Sequence, residues 1–148
     1  MAAQLGTTRS DPGPAMPSAD AATITAVADQ LFTAIENSDT ATVARLWSDD
    51  IAVWRVGASR DRDKVRALRV IDWFVGATAR RRYEILDRQL FADGFVQQHI
   101  LHATGHNGGS IAMRVCIVIK LESSPGSQTL ISRIDEYFDP AELAPLLG

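Results

Sequence analysis

The segment QTLISRIDEYF, residues 128–138, is the last of four long strands predicted in the second half of the chain. Side chains in a strand alternate between two faces, so every second residue lies on the same side. One row is mostly apolar and consists of Leu130, Ser132, Ile134, Glu136 and Phe138. The opposite row consists of Ile131, Arg133, Asp135 and Tyr137. The alternation therefore singles out Glu136 as a carboxylate on an otherwise apolar face.

Two interpretations of Glu136 follow from this position. An unpaired carboxylate among apolar side chains has a raised pKa, because burial disfavours its charged form. Such a group is suited to general acid or base chemistry near neutral pH. The alternative is a structural glutamate that is paired with an arginine, since ion pairs also perturb carboxylates. The sequence leaves both interpretations open.

Three more strands precede this segment, at residues 83–91, 95–104 and 110–122. They are separated by short segments rich in glycine, serine and asparagine, which are typical of tight turns. Strands joined by such short connections pair in antiparallel fashion. The second half of the chain is therefore predicted to form an antiparallel meander.

The first half of the domain is predicted to be mainly helical. Apolar residues between Ile24 and Ile35 recur at intervals of three and four, which places them on one helix face. A short second helix is predicted to end with Trp47, and a third to run from an N-cap at Asp63 to about Ala77. A short strand is predicted at residues 51–56. Helices followed by a meander indicate an α+β domain, in which a strongly bent sheet encloses a cone.

Length and composition limit the domain organisation. The 148 residues, of which 46% are hydrophobic, suffice for one domain with a sizeable core. Residues 1–20 contain three prolines and few large apolar side chains, so we expect a disordered tail before a single domain at residues 21–148. No stretch resembles a signal peptide or a membrane span, and the single cysteine, Cys116, excludes an internal disulfide. These features favour a cytoplasmic protein.

The charge and the histidines exclude several kinds of partner. The formal net charge of −3 argues against a nucleic-acid or anionic-membrane binder. His99 and His102 would point to opposite faces of one strand, and His106 lies beyond it, so we expect no metal site. No motif indicates a cofactor. The run Arg80-Arg81-Arg82 is interpreted as a solvated turn.

Three segments carry a resemblance to a known family: FVQQHIL at 95–101, VCIVI at 115–119 and RIDEYFDP at 133–140. Together with three helices followed by a meander, they resemble the nuclear-transport-factor-2-like superfamily, and within it the SnoaL-like, or polyketide-cyclase-like, branch. The resemblance implies a cone-shaped α+β barrel in which three N-terminal helices pack against a strongly curved, mostly antiparallel sheet. It also implies a deep apolar pocket and a homodimer. Activities in the superfamily include ketosteroid isomerases, polyketide cyclases and limonene-epoxide hydrolases.

The epoxide-hydrolase motif of this superfamily matches the chain only in part. Its aspartate before Tyr-Phe-Asp falls on Glu136. Its Arg-x-Asp pair falls on His99 and Leu101, and its water-holding Tyr and Asn fall on Val53 and Arg55. The second carboxylate and the water-binding pair are therefore missing, which argues against epoxide hydrolysis by that mechanism.

The resemblance does select the inner face, and it implies a set of site residues. Glu136, His99 and Arg55 are the expected catalytic residues, with Glu136 moving a proton, His99 donating or relaying one, and Arg55 stabilising an oxyanion or keeping Glu136 charged. The expected substrate-binding residues are Val53, Leu101, Phe138, Trp73 and Leu31.

Three functions remain open at this point. The first is a cofactor-independent isomerase, cyclase or hydrolase that acts on a small lipophilic molecule. The second is a non-catalytic binder of an apolar ligand. The third is a dimeric interaction module, in which Glu136 would be ion-paired to Arg55 and the cavity closed. The fold alone does not separate them.

Overall fold

The computed structural model describes residues 19–148, and it confirms the α+β class. Helices α1 (Ala21–Glu36), α2 (Thr40–Leu46) and α3 (Lys64–Ala77) pack against a curved sheet of five strands. The strands are β1 (Trp47–Arg55), β2 (Thr78–Phe91), β3 (Gly94–Gly105), β4 (Ser110–Glu122) and β5 (Leu130–Tyr137). A 3-10 helix at Pro140–Leu146 follows them.

Each α-helix begins at an aspartate, because a side-chain oxygen there can accept a hydrogen bond from a free backbone N–H of the first turn. The caps are Asp20, Asp39 and Asp63. These three bonds fix where the helices start. Helix α1 presents one apolar face to the sheet. The fully buried side chains of that face include Ile24 and Leu31.

The strand order in the sheet is β1-β5-β4-β3-β2. Strands β2 to β5 pair in antiparallel fashion, as predicted, whereas β1 pairs with β5 in parallel. This parallel pair sets Arg55 beside Glu136 in register. The two charged residues named by the sequence are therefore neighbours across adjacent strands.

Burial alternates along β3 from Phe95 onward and along the whole of β4, which shows that one sheet face is the core face. In β2 the alternation changes phase, because the pairing with β3 shifts by one residue between Ile85 and Asp87. Leu86 is the additional residue of this β-bulge, and it is exposed. A bulge moves the side chains on one side of it to the opposite face of the sheet. Tyr83 consequently lies opposite Leu101, on the core face.

Several predicted boundaries were wrong. Trp47 begins β1 rather than ending α2, and β2 starts at Thr78 rather than at residue 83. The Arg80–Arg82 run therefore belongs to a strand and is not a turn. Arg81 is buried, and its guanidinium donates hydrogen bonds to the carbonyl oxygens of Ile35 (2.8 Å) and Thr78 (3.0 Å). Carbonyl groups at helix ends lack partners within the helix, so Arg81 caps the end of α1 from the sheet.

Most of the predicted N-terminal tail, residues 1–18, lies outside the described residues. The domain from residue 21 onward is described in full. Among residues 19–148, no helix is long and apolar enough to cross a membrane.

Candidate active site

A cavity of about 90 Å³ lies between α1, α3 and the core face of the sheet. Its walls are mostly aliphatic and aromatic, and its charged lining residues are Arg55, Arg62 and Glu136. A dry apolar cavity of about 150 Å³ holds one benzene molecule. The cavity in its present shape therefore has room for only a few non-hydrogen atoms.

Glu136 and Arg55 form an ion pair in the wall of this cavity. The Nε of Arg55 donates a hydrogen bond to Oε1 of Glu136 over 3.2 Å, and about a quarter of each side chain is accessible (24% and 25%). Among the described residues, Oε2 of Glu136 has no hydrogen-bond partner. Oε2 is therefore the oxygen that is free to accept a proton or a hydrogen bond from a bound molecule.

Two opposing effects act on the carboxyl group of Glu136. Burial raises its pKa, and the charge and hydrogen bond of Arg55 lower it, with burial the larger effect. A carboxylate of this kind holds a proton more readily than one in water, yet Arg55 still supports its charged form. This balance is what a group needs to accept and return a proton near neutral pH.

The structure brings six of the eight predicted site residues to the cavity. Arg55 and Glu136 line it together with Leu31, Val53, Trp73 and Leu101. Phe138 follows the end of β5 and does not line the cavity; its ring lies 4.9 Å from Cζ of Arg55 and forms part of a groove on the outside. His99 is not a cavity residue either.

His99 lies in the core at the end of a buried polar chain. Nε of Arg88 donates to Oε1 of Gln97 over 2.8 Å, and Nε2 of Gln97 is 2.9 Å from Nδ1 of His99. Arginine has no acceptor, so Oε1 of Gln97 must face Arg88 and its NH₂ group must donate to His99. Nδ1 is therefore the acceptor, and the neutral imidazole carries its proton on Nε2.

The environment of His99 keeps the imidazole uncharged. Burial and the nearby charge of Arg88 lower its pKa from 6.5 to about 4. Its Nε2 is buried and has no hydrogen-bond partner within the described part of the chain. The ring instead packs edge-on against Tyr83, with centroids 5.0 Å apart, and against Phe32 at 5.5 Å. His99 is thus separated from the cavity by these aromatic rings.

Tyr83 is a site residue that the sequence analysis missed. It lines the cavity, and its hydroxyl has no hydrogen-bond partner among residues 19–148. Burial and the charges of Glu136 and Glu36 raise its pKa, so the phenol stays protonated and can only donate its hydrogen or accept another. Tyr83 lies on the inner face because it pairs with Leu101. That pairing exists only because of the bulge at Leu86, which the sequence pattern does not reveal.

Two further polar groups were missed. Arg62 lines the cavity from the loop before α3, held by backbone hydrogen bonds to Val53. Trp47 also lines it, and its buried indole N–H has no partner in the described range. No group of three or more His, Cys, Asp or Glu side chains in residues 19–148 is arranged to hold a metal ion.

No family model matches the sequence, and no curated protein matches it. Several solved structures have a fold similar to that of this chain. An LEH-like epoxide hydrolase from M. tuberculosis is 20% identical, with a TM-score of 0.66 over 85% of this chain and 90% of that one. PrhC from Penicillium brasilianum is 14% identical, with a TM-score of 0.70 over 85% and 86%.

A third similar structure is that of a protein from a named family. It is a protein from Streptomyces avermitilis assigned to the NTF2-like family as a dehydratase, 12% identical, with a TM-score of 0.70 over 81% of this chain and 97% of that one. At such low identity, the likeness shows a common fold and does not transfer an activity. The chain therefore has the nuclear-transport-factor-2-like fold, the cone of helices and curved sheet on which SnoaL-like and LEH-like proteins are also built.

Proposed function

We propose that this protein is a cofactor-independent acid–base enzyme, of isomerase, cyclase or hydrolase type, that acts on a small and mainly apolar molecule. The observation that carries the proposal is the position of Glu136, a carboxylate with one free oxygen in the wall of an apolar cavity. The solved structures of the same fold include proteins described as an epoxide hydrolase, a cyclase and a dehydratase, which supports an enzyme of this kind.

In the proposed reaction, Oε2 of Glu136 accepts a proton from the bound molecule and later returns it. In the protein without substrate, Arg55 keeps the carboxylate ionised through its hydrogen bond to Oε1. Negative charge then develops on the substrate, and a hydrogen-bond donor facing that charge lowers the barrier. We assign this donor role to the hydroxyl of Tyr83, which stays protonated and lines the same cavity.

His99 has no proton-transfer role in this proposal. Its lowered pKa leaves it neutral at physiological pH, and its Nδ1 is already occupied by Gln97. We assign it to the core, where it supports the ring of Tyr83 from behind.

The proposal is tested by following hydrogen–deuterium exchange at carbon in small ketones (acetone, butanone and cyclopentanone) in D₂O by proton NMR. General-base catalysis contributes typically 10²- to 10⁴-fold. We expect the protein to accelerate exchange and Glu136→Gln to reduce this acceleration at least 100-fold. Asp135→Asn is the matched control, because Asp135 is the next carboxylate on the same strand and is bound to Arg133 outside the cavity. Exchange at the same rate with E136Q and wild-type protein would show that Glu136 is not the base.

A second candidate function is a non-catalytic binder of a small apolar ligand. The observation that favours it is the Arg55–Glu136 ion pair, which gives the carboxylate a structural partner, beside a cavity that still has room for a small ligand. The interaction module predicts the same ion pair but a closed cavity. This alternative predicts saturable binding without turnover, and binding of a neutral ligand that survives Glu136→Gln.

We also retain the proposal of a homodimer, formed through the sheet face that points away from the helices. That face carries half-buried apolar side chains such as Ile100 and Val118, beside the exposed Tyr137. Sedimentation equilibrium distinguishes a monomer from a dimer. A monomer at all concentrations up to the millimolar range would contradict this proposal.

A further inference from the structure

Two arginines and one leucine separate the cavity from an open groove on the surface. This outer groove has a volume of about 330 Å³, and it is lined by the loop after β1, by Phe138 and by residues of the 3-10 helix. Arg55, Arg62 and Leu143 line both the outer groove and the cavity. These three side chains therefore form the partition between them. A rearrangement of this partition would join the two spaces into one site of the size that small-molecule pockets have.

The partition contains more positive than negative charge. Within residues 19–148, Glu136 is the only carboxylate that lines either space, and it is bound to Arg55. The acidic neighbours of Arg62 in sequence are engaged elsewhere, Asp61 with Arg133 at 2.9 Å and Asp63 with Arg66 at 3.4 Å.

Arg62 itself is half-buried and has no ion-pair partner in residues 19–148. Charged groups that are removed from water are normally paired. One guanidinium at the entrance to an apolar cavity thus lacks its counter-charge.

We propose that the cavity and the outer groove together bind a small aliphatic carboxylate, with its apolar chain in the cavity and its carboxylate on Arg62 and Arg55. This inference rests on the proposed function of the same cavity and names its substrate class. The one uncompensated positive charge matches a monoanion, which favours a carboxylate over a phosphate dianion. The guanidinium fork also fits a carboxylate with two parallel hydrogen bonds.

The position of Arg55 gives the carboxylate a second effect. Arg55 contacts Glu136 on one side and the ring of Phe138 on the groove side. A carboxylate in the groove competes with Glu136 for this one guanidinium. When Arg55 turns to the ligand, Glu136 loses the partner that supports its charge, and it becomes a stronger base next to the substrate chain. Binding of the correct anion would in this way activate the base.

The test uses calorimetry at low salt with pentanoate and its uncharged isostere pentanamide, and acetate as an anion without an apolar chain. We expect pentanoate to bind at least tenfold more tightly than either of the other two. Arg62→Gln should weaken pentanoate binding at least fivefold and leave pentanamide unchanged. Arg60→Gln is the matched control, because Arg60 is an exposed arginine of the same loop that lines neither space.

A further variant tests the competition for Arg55. Glu136→Gln should tighten pentanoate binding severalfold, because the amide no longer competes for Arg55, and leave pentanamide unchanged. Equal affinity of wild-type protein for pentanoate and pentanamide would overturn the inference, as would equal effects of R62Q and R60Q. Neither result bears on proton transfer, which the exchange experiment with ketones measures separately. If the exchange experiment disproved base catalysis by Glu136, the affinities expected for pentanoate, pentanamide and acetate would be unchanged.

Discussion

Two of the polar assemblies inside the described part of the molecule differ in whether they adjoin the cavity. One is the Arg55–Glu136 pair in the cavity wall, and the other is the buried chain of Arg88, Gln97 and His99. Burial shifts a pKa towards the neutral form in both, upward for Glu136 and down to about 4 for His99. The two titratable groups are therefore perturbed for the same physical reason.

What distinguishes them is the space beside their unpartnered groups. In the buried chain, Nη2 of Arg88 and Nε2 of His99 have no hydrogen-bond partner in the described range, but neither residue lines the cavity. In the cavity, one oxygen of Glu136 and the hydroxyl of Tyr83 have no partner in the described range. A shifted pKa alone thus does not mark an active site; a shifted pKa next to an unfilled space does.

The largest expected effect of breaking the buried chain is on stability. Gln97→Leu removes the acceptor of Arg88 and the donor to His99 at once, and each buried group left unpaired costs about 1–3 kcal/mol. We expect the free energy of unfolding, measured with urea, to fall by about 3 kcal/mol. Gln98→Leu is the control on the outer face, where Gln98 accepts only from the exposed Arg114, and it should cost less than about 1 kcal/mol. Equal costs would show that the buried chain is not structural.

A lower pH should change the stability in opposite directions through His99 and Glu136. The folded state binds a proton on His99 only near pH 4, whereas an unfolded histidine does so near 6.5. The unfolded state therefore holds more protons between these values, and His99 destabilises the fold by up to about 3 kcal/mol as the pH falls from 6.5 to 4. The raised pKa of Glu136 acts in the opposite direction, because protonation of Glu136 favours the folded state.

Urea unfolding at pH 7.0, 5.5 and 4.5 measures this difference. We expect His99→Asn to remove the loss of stability in this window, and His106→Asn, at an exposed histidine, to keep it. The carboxylates whose pKa is lowered, Asp20, Asp39 and Asp61, lose their stabilisation mainly below about pH 4, and H99N retains all three, so the comparison with wild-type protein cancels their effect. An unchanged pH dependence in H99N would contradict the neutral, buried state of His99.

Removal of the Tyr83 hydroxyl should affect turnover and leave the fold unchanged. Loss of one donor to a developing oxyanion costs about 100-fold in rate. We expect Tyr83→Phe to slow the exchange reaction by about this factor, while the free energy of unfolding stays within about 1 kcal/mol because the hydroxyl has no partner to lose. Tyr137→Phe, at an exposed tyrosine that packs on Trp54, should change neither quantity. Full activity of Y83F would exclude Tyr83 as the donor.

The smallest effect concerns Phe138, which holds Arg55 from the groove side. An interaction between a guanidinium and an aromatic face contributes about 0.5–1 kcal/mol at partly exposed sites. Phe138→Leu should lower the free energy of unfolding by about that amount in thermal unfolding, and Phe138→Trp should retain it. A loss as large with tryptophan as with leucine would indicate that the ring acts through packing alone.

The sequence predicted much of this architecture because its periodicities are strong. The apolar spacing in α1, the cap at Asp63 and the alternation from Arg133 onward in β5 led to the correct elements and to Glu136. The rows predicted before Arg133 were wrong, because a register shift against β4 places Ile131 on the core face together with Ile134. The juxtaposition of Arg55 and Glu136 was anticipated as a structural alternative, but their register depends on the parallel pairing of β1 with β5, which no local pattern encodes.

The roles of His99 and Tyr83 could not be predicted by the same means. The family resemblance places His99 on the inner face, and this is correct, but it cannot tell a core position from a cavity wall on that face. Tyr83 reaches the inner face only because Leu86 is looped out, and a simple count back from the turn before Gly94 would place it outside. Tertiary packing decides where a bulge forms, so the count fails at that residue.

The bulge at Leu86 also bears on how the chain tolerates changes in length. From Arg80 to Phe91, strand β2 consists of two segments with opposite phase, and Leu86 absorbs the difference between them. Deletion of Leu86 alone would join the ladder into a regular strand and keep Tyr83 opposite Leu101. Deletion of Glu84 would have the same result if Leu86 entered the ladder opposite His99. This strand can therefore lose one residue near the bulge while the cavity retains its phenol.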